Sequence, residues 1–267
     1  MLRLAKYLKP YLVLILMAVA LLFVQANADL ALPDYMSDIV NYGIQQGGVQ
    51  NAVPLAMRRS EMSRLLIFMT EDEKNTVLAD YTLVDKSSAD YDADVKLYPA
   101  LATQPVYVLN KNVAPAEIAR LNPIMGKALL VVSGIEQAMV NPAAAQSAAG
   151  NFGFDLSRIP PGADVFTVLQ NLPAATLGQI IAAADQKFAA LDPSMIVQMS
   201  VGAVKTEYAA LGMDTGKLST DYIIQTGILM LLVTLLSVGC TISVGFLSAR
   251  IAAGLARDLR RNIFQRV

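Results

Sequence analysis

The sequence predicts a mostly helical membrane protein with two long transmembrane helices and a mainly helical external domain, containing minor β-structure, between them. Hydrophobic residues make up 55% of the chain and charged residues only 16%, which is too apolar for an ordinary soluble domain of this length. The excess lies in two charge-free runs, residues 10–28 and 222–249. A bilayer core of about 30 Å is crossed by roughly 20 helical residues, so each run is long enough to span it. Because backbone groups find no water in lipid, both runs should be helices.

Basic residues at both ends of the chain set the predicted orientation. Arg3, Lys6 and Lys9 precede the first run, and five arginines with only one aspartate follow the second. The positive-inside bias then places both termini in the cytoplasm. We therefore divide the chain into a cytoplasmic amphipathic lead-in (1–9), a first transmembrane helix with its outer extension (10–47), an extracellular domain (48–219) and a second transmembrane helix with its cytoplasmic extension (220–267). In that extension, Arg257, Arg260 and Arg261 are expected to lie in water and to fix the orientation.

The N-terminus also fits a secretory signal peptide. Ala26 and Ala28 have the small-residue spacing of a cleavage site after a basic and apolar lead. The apolar region is at the upper limit for a signal, and the amphipathic sequence "ALPDYMSDIVNYGI" continues directly from it, which favours a retained helix. Under either interpretation, the following segment is external.

The predicted external domain is mildly acidic, with thirteen Lys and Arg against seventeen Asp and Glu. This balance does not suggest a nucleic-acid surface. The only cysteine, Cys240, lies in the second span, so the domain must be held together by burial alone. Helical patterns are predicted for 51–70, 71–79, two helices within 114–140, 163–172, 173–191 and 192–214, short strands near 81–84 and 106–110, and loops over 85–105 and 141–164.

The residues indicate no catalytic, cofactor-binding or metal site in this chain. The chain has no histidine, which excludes the Ser-His-Asp and Cys-His arrangements. The sequence "GMDTGKL" has three residues between its glycines where a phosphate-binding loop needs four, and Leu218 replaces the hydroxyl residue. Asp90, Asp92 and Asp94 alternate like the start of a calcium loop, but the later glycine and glutamate positions do not match. A solvated acidic loop is the interpretation we favour.

Polar residues within or beside the spans are the most informative positions. Thr234, Ser237 and Thr241 share roughly one helix face. Such residues allow close helix packing and bond their own backbone, or they line a polar pathway. Gln25, Asn27 and Asp29, near the outer end of the first span, likewise either pack against a neighbouring helix or line a polar pathway. Because a charge is costly in lipid, Asp29 should face protein, water or the headgroups.

The order of these segments resembles the beginning of the transmembrane domain of a bacterial ABC exporter, in particular a fused permease and ATPase half-transporter. The most specific stretches are "LPDYMSDIVNYGI" and "ARDLRRNIFQRV", and the external domain is similar to a large insertion between the first two spans. The resemblance covers nearly the whole chain. It implies a multi-pass protein of the bacterial plasma membrane in which Gln25, Asn27, Asp29, Thr234, Ser237 and Thr241 contribute to the translocation pathway.

The resemblance also implies several parts beyond this chain. Four further spans and a nucleotide-binding domain that uses ATP and Mg are expected to follow, so we expect the chain to be a fragment that stops before the coupling helix and is itself no enzyme. The implied partners are a second half-transporter in a homo- or heterodimer, the nucleotide-binding domain, the lipid bilayer and an exported substrate of unknown identity.

Two alternatives stay open at this point. A two-span bacterial sensor would use the external domain to bind a ligand and the second helix to signal inward. The second alternative is a secreted or tethered binding protein whose signal peptide is cleaved. A mature N-terminus at Asp29 would indicate this alternative.

Overall fold

The computed structural model describes residues 9–140 and 164–264. These residues are mostly helical, with little strand, and they fall into two compact units. One unit contains the described residues up to Gln45 together with those from Thr220 onward, and we call it the helical hairpin. The other unit, Gln46–Ser219, is called the inserted domain. The loop predicted over 141–164 lies almost entirely outside the described residues.

The secondary structure begins with a 3-10 turn, Lys9–Tyr11, and ends with a helix of 50 residues. In the labels used below, the helices are α1 (Leu12–Asp38, continued by a π-helical segment, Ile39–Gln45), α2 (Arg59–Ile67), α3 (Glu71–Ala79), α4 (Tyr91–Leu97), α5 (Pro115–Val140), α6 (Val165–Gln170), α7 (Ala174–Phe188), α8 (Pro193–Ala210) and α9 (Thr215–Phe264). The strands are β1 (Ala56–Arg58), β2 (Tyr81–Val84) and β3 (Val106–Leu109), and a short 3-10 helix covers Pro99–Ala102.

A small antiparallel sheet and the surrounding helices of the inserted domain enclose one core. Strand β3 lies in the middle of the order β1-β3-β2, with Ala56 opposite Val108 and Thr82 opposite the same residue. The largest side chains with almost no exposure come from several of these elements and include Phe68, Met57, Met62, Leu65, Leu121, Met125 and Leu169. The core is therefore large enough to hold the domain together without a disulfide.

Local signals start several of these helices. Thr70 and Glu73 form a reciprocal capping box at the start of α3, with the Thr70 amide 2.8 Å from Glu73 Oε2 and the Glu73 amide 3.3 Å from Thr70 Oγ1. Asp192 caps α8 by accepting a hydrogen bond from the Ser194 amide, and Pro193 occupies the first turn. The helices predicted at these positions are confirmed.

Three local predictions are wrong. Residues 56–58, predicted as helix, form β1 because they pair with β3. The predicted loop over 85–105 contains α4 and the 3-10 helix. The two helices predicted within 114–140 are a single helix that continues through Pro123. Leu121 and Met125 are fully buried on either side of this proline, so tertiary packing holds together a helix that proline disfavours locally.

Three helical segments in the described residues are long and apolar enough to cross a membrane: Lys9–Gln45, Pro115–Val140 and Thr215–Arg261. The length and composition of these helices indicate a membrane protein. The sequence analysis expected two such helices and missed the candidate in α5. Half of the apolar window of α5 is buried inside the domain, against 11% for each of the other two. Within α5, Lys127 is 5% exposed and forms ion pairs with Glu73 at 3.1 Å and Asp185 at 2.6 Å.

Candidate functional site

The two helices of the hairpin meet along a narrow seam whose buried residues are mostly small. Its buried members are Ala18 and Ala28 on α1, Gly43 on the π-helical segment, and Thr226, Ser237, Cys240 and Leu247 on α9. Half-buried residues continue the same stripe at alternating steps of three and four. They lie at position 11 in the 3-10 turn, at 14, 21, 25, 32 and 35 on α1, and at 230, 233, 244, 251 and 258 on α9. This spacing is the heptad pattern of two helices packed at a small crossing angle. Small residues at such a seam allow the backbones to approach closely.

Three contacts show that the helices run antiparallel and fix their register. The Tyr11 hydroxyl donates to Asp258 Oδ2 at 2.8 Å, and the Ser237 hydroxyl donates to Asp29 Oδ1 at 2.5 Å. At the other end, Gly43 lies against Ile223, where an added Cβ would be 2.6 Å from Ile223 Cγ1. A side chain at position 43 would force the helices apart, so glycine permits this approach.

The register places Asp29 opposite the apolar middle of α9. The charge-free run of α9 covers residues 222–249, and any stretch of about 20 residues within it includes residues 230–241. Ser237 therefore lies within the hydrocarbon region wherever a bilayer is centred on this run. Since the Asp29 carboxylate accepts a hydrogen bond from Ser237, it lies at a similar depth.

The other predicted pathway residues do not converge on this pair. Thr234 and Thr241 are exposed and donate to carbonyls four residues earlier, those of Met230 at 2.9 Å and Ser237 at 3.0 Å. Asn27 is exposed and donates to the carbonyl of Phe23 at 2.7 Å, and Gln25 is half-buried in the seam. Close packing and backbone bonding thus account for the hydroxyls, and a role in lining a pathway stays a prediction.

The arginines predicted to set orientation lie on the surface of the last turns of α9. Arg257, Arg260 and Arg261 are exposed, and Arg257 forms an ion pair with Asp258 at 3.2 Å. They follow the charge-free run on one continuous helix, as positively charged residues next to a membrane commonly do.

A charged cluster in the inserted domain was missed by the sequence analysis. Arg58 of β1, Glu61 and Arg64 of α2, Glu136 of α5 and Glu207 of α8 lie together beside a cleft. These residues are up to 149 positions apart in sequence, so only the tertiary structure brings them together. The one local signal is the three-residue spacing of Glu61 and Arg64, which is common on solvated helices.

The aspartates considered as a calcium loop lie at the start of α4. Asp92 and Asp94 are in the first turn of this helix and Asp90 precedes it. Within residues 9–140 and 164–264, there is no group of three or more acidic, histidine or cysteine side chains placed to hold a metal ion.

Comparison of the chain with protein-family models, curated proteins and solved structures gave no match. The functional argument therefore depends on the contacts described above.

Proposed function

We propose that the chain is the membrane-spanning part of an ATP-driven exporter, in which α1 and α9 form part of the wall of a substrate pathway. The observation that carries this proposal is the Asp29 carboxylate, held by Ser237 at 2.5 Å at the level of an apolar run. A charged side chain at that depth is costly in lipid and faces protein or a water-filled cavity in membrane proteins. Further spans packed against the hairpin would supply either environment.

The exposed faces of the hairpin support the same proposal. Large apolar side chains cover these faces, including Phe23 at 71%, Ile242 at 68% and Phe246 at 65% exposure. Exposed polar side chains, Asn27 and Thr234, interrupt the apolar surface. Lipid suits the apolar part, while the polar positions favour contact with additional helices or a hydrated path.

The length of α9 supports coupling to a domain inside the cell. Its 50 residues correspond to about 75 Å of helix, well beyond the roughly 40–45 Å of a bilayer with its headgroups. The basic segment from Arg250 onward stays helical to Phe264. In the proposed exporter, this extension carries motion from nucleotide-binding domains, which bind ATP and Mg, and a second half-transporter completes the pathway.

The burial of α5 supports a topology with two spans and both ends of the hairpin in the cytoplasm. In an external α5, Lys127 keeps its two carboxylate partners and the apolar face stays in the domain core. An even number of spans also agrees with the basic residues at both ends.

The coding sequence beyond the codon for Val267 tests the exporter proposal. Four more apolar spans followed by a Gly-x-x-x-x-Gly-Lys-Ser/Thr loop are expected. ATP hydrolysis by the whole protein in proteoliposomes should then fall in Asp29→Leu and be retained in Asp29→Asn, which still accepts a hydrogen bond from Ser237. An immediate stop codon, or equal ATP hydrolysis in both variants and the unmodified protein, contradicts the proposed role.

The second candidate is a two-span receptor, and the cleft in the inserted domain is the observation that favours it. A receptor needs a ligand site in its external domain and a helix that continues into the cell. A kinase or methyl-accepting region after Val267 would indicate this function in place of export.

A further inference from the structure

A cleft of about 700 Å³ lies between α5 and α8 of the inserted domain. The two helices come close at Gly126, where an added Cβ would be 2.8 Å from Ile196 Cγ2. The cleft is lined by the turns that follow on each helix, with Leu129 and Leu130 on α5 and Met199 and Ala203 on α8. Its volume is within the range of roughly 300–1,000 Å³ found for pockets that hold small organic molecules.

Arg58, Glu61, Glu136 and Glu207 line one part of the cleft, and Arg64 forms ion pairs with two of these glutamates. Arg58 makes a bidentate ion pair with Glu207, with Nη2 2.6 Å from Oε2 and Nε 3.0 Å from Oε1. Arg64 is 2.6 Å from Glu136 Oε1 and 3.2 Å from Glu61 Oε2, so two carboxylates share one guanidinium. Three glutamates face two arginines, which leaves an excess of one negative charge when all five are ionised.

Glu61 is the carboxylate with the least compensation. It is 7% exposed, and its only hydrogen bond to a described residue is the one that Oε2 accepts from Arg64. Its Oε1 has no protein partner within residues 9–140 and 164–264, and it is not among the fully enclosed polar atoms, so it is accessible from the cleft that Glu61 lines. A buried carboxylate with a vacant acceptor is stabilised by a positively charged hydrogen-bond donor.

We propose that this cleft binds a small organic cation with an apolar body, whose ammonium group donates to Glu61 Oε1 while the body lies against Leu129, Leu130, Met199 and Ala203. An organic cation fits better than a metal ion because one wall of the cleft is apolar, and because within residues 9–140 and 164–264 no three acidic, histidine or cysteine side chains are placed to hold a metal. This inference is independent of the proposed export function, since the cleft belongs to the inserted domain alone.

The pH dependence of binding follows from the groups around Glu61. Burial, then the nearby Glu136 and Glu207, raise the pKa of Glu61 to about 7, while Arg64 and Arg58 act in the opposite direction. The hydrogen bond to Glu207 raises the pKa of Arg58, so this guanidinium stays charged. Glu61 thus gains its charge near neutral pH, and a cation should bind more tightly above pH 7 than below it.

The test uses the whole chain in lipid nanodiscs and 4-phenylbutylammonium as the probe, with binding measured by calorimetry. The dissociation constant should decrease by about tenfold or more between pH 5.5 and pH 8. The neutral 4-phenylbutanol and the anionic 4-phenylbutyrate, which share the apolar body, should bind at least about tenfold more weakly at pH 8. Saturable binding that is equal for the amine and the alcohol would overturn the proposal, as would the lack of saturable binding of the amine.

Two variants separate the charge from the cavity. Glu61→Gln keeps the shape of the side chain and should remove both the preference for the amine and its pH dependence. Gly202→Leu places a side chain in the cleft, because Gly202 lines it and no atom lies within 4 Å of an added Cβ. Gly178→Leu on α7 is the matched control, since its Cβ also meets open space but it is not a lining residue.

Amine binding should be lost in Gly202→Leu and retained in Gly178→Leu. Binding that survives the filled cleft, or that is lost equally in both leucine variants, contradicts the proposed site. If the coding sequence after Val267 rules out an exporter while these results hold, the export proposal fails and the ligand site stands. If the coding sequence agrees with an exporter while the binding results fail, the ligand site alone is rejected.

Discussion

The helical hairpin and the inserted domain bury opposite kinds of side chain. In the hairpin, most buried positions are small, such as Ala18, Ala28 and Gly43, while Leu30 is 74% exposed. In the domain, the large residues Phe68 and Leu65 are almost fully buried. This contrast indicates two different surroundings. In the inserted domain, the hydrophobic effect in water buries the large apolar side chains. In the hairpin, the helices pack by close approach of small residues, and the large apolar side chains face outward, where lipid or further helices can contact them.

Removing a core side chain should show the contrast most strongly. Leu65→Ala is expected to lower the free energy of unfolding of the inserted domain by about 2–5 kcal/mol, because it leaves a cavity in a fully buried site. Leu231→Ala, at a position 61% exposed on the hairpin, is the control and should change it by less than about 0.5 kcal/mol. Hydrogen exchange of the domain amides measures both effects. Equal losses would mean that the two regions are not separate cores.

The buried carboxylate of the domain should make its stability depend on pH. The carboxyl group of Glu61 loses its proton near 4.5 when unfolded and near 7 when folded, so the folded state binds more protons in between and stability decreases as pH rises through this window. Glu61→Gln should remove this penalty and stabilise the domain by up to about 3 kcal/mol at pH 8. At pH 4 the two proteins should be alike in denaturant unfolding. A gain of the same size at both pH values would reject this cause.

Enlarging a seam residue should weaken the hairpin and leave the domain unchanged. Gly43→Leu is expected to cost about 1–3 kcal/mol by overpacking against Ile223. Gly239→Leu, whose added Cβ meets no atom within 4 Å, should cost far less. The readout is bismaleimide cross-linking between cysteines replacing Tyr42 and Tyr222, whose ring centroids are 6.2 Å apart, in a Cys240→Ser background. Equal cross-linking in both leucine variants would contradict the close approach at Gly43.

Polar truncations should have the smallest effects and should still differ between the regions. Thr70→Ala removes the capping box of α3 and is expected to cost the domain about 1 kcal/mol. Thr234→Ala removes only a hydrogen bond to the Met230 carbonyl within α9 and should change hairpin cross-linking little. A larger loss in Thr234→Ala would point to a contact of this hydroxyl with another helix.

Sequence patterns predicted what depends on local chemistry and missed what depends on distant partners. The cap at Asp192 and the apolar runs were predictable, because each follows from neighbouring residues. The strand at Ala56–Arg58 was missed because it exists only by pairing with β3. The Asp29 contact with Ser237 joins residues 208 positions apart, and the cleft charges are similarly distant, so neither grouping has a signature within one segment.

Cysteine labelling of intact cells tests the central claim, that the inserted domain with α5 lies outside and the ends of the hairpin lie inside. Single cysteines replace Lys86 and Arg257, and Ala116 and Met139 near the two ends of α5, in a Cys240→Ser background; all four positions are exposed. A membrane-impermeant maleimide should label positions 86, 116 and 139, and should label position 257 only after the cells are opened. Labelling of 116 and 139 from opposite sides would make α5 a membrane span and contradict the account, as would labelling of 257 in intact cells.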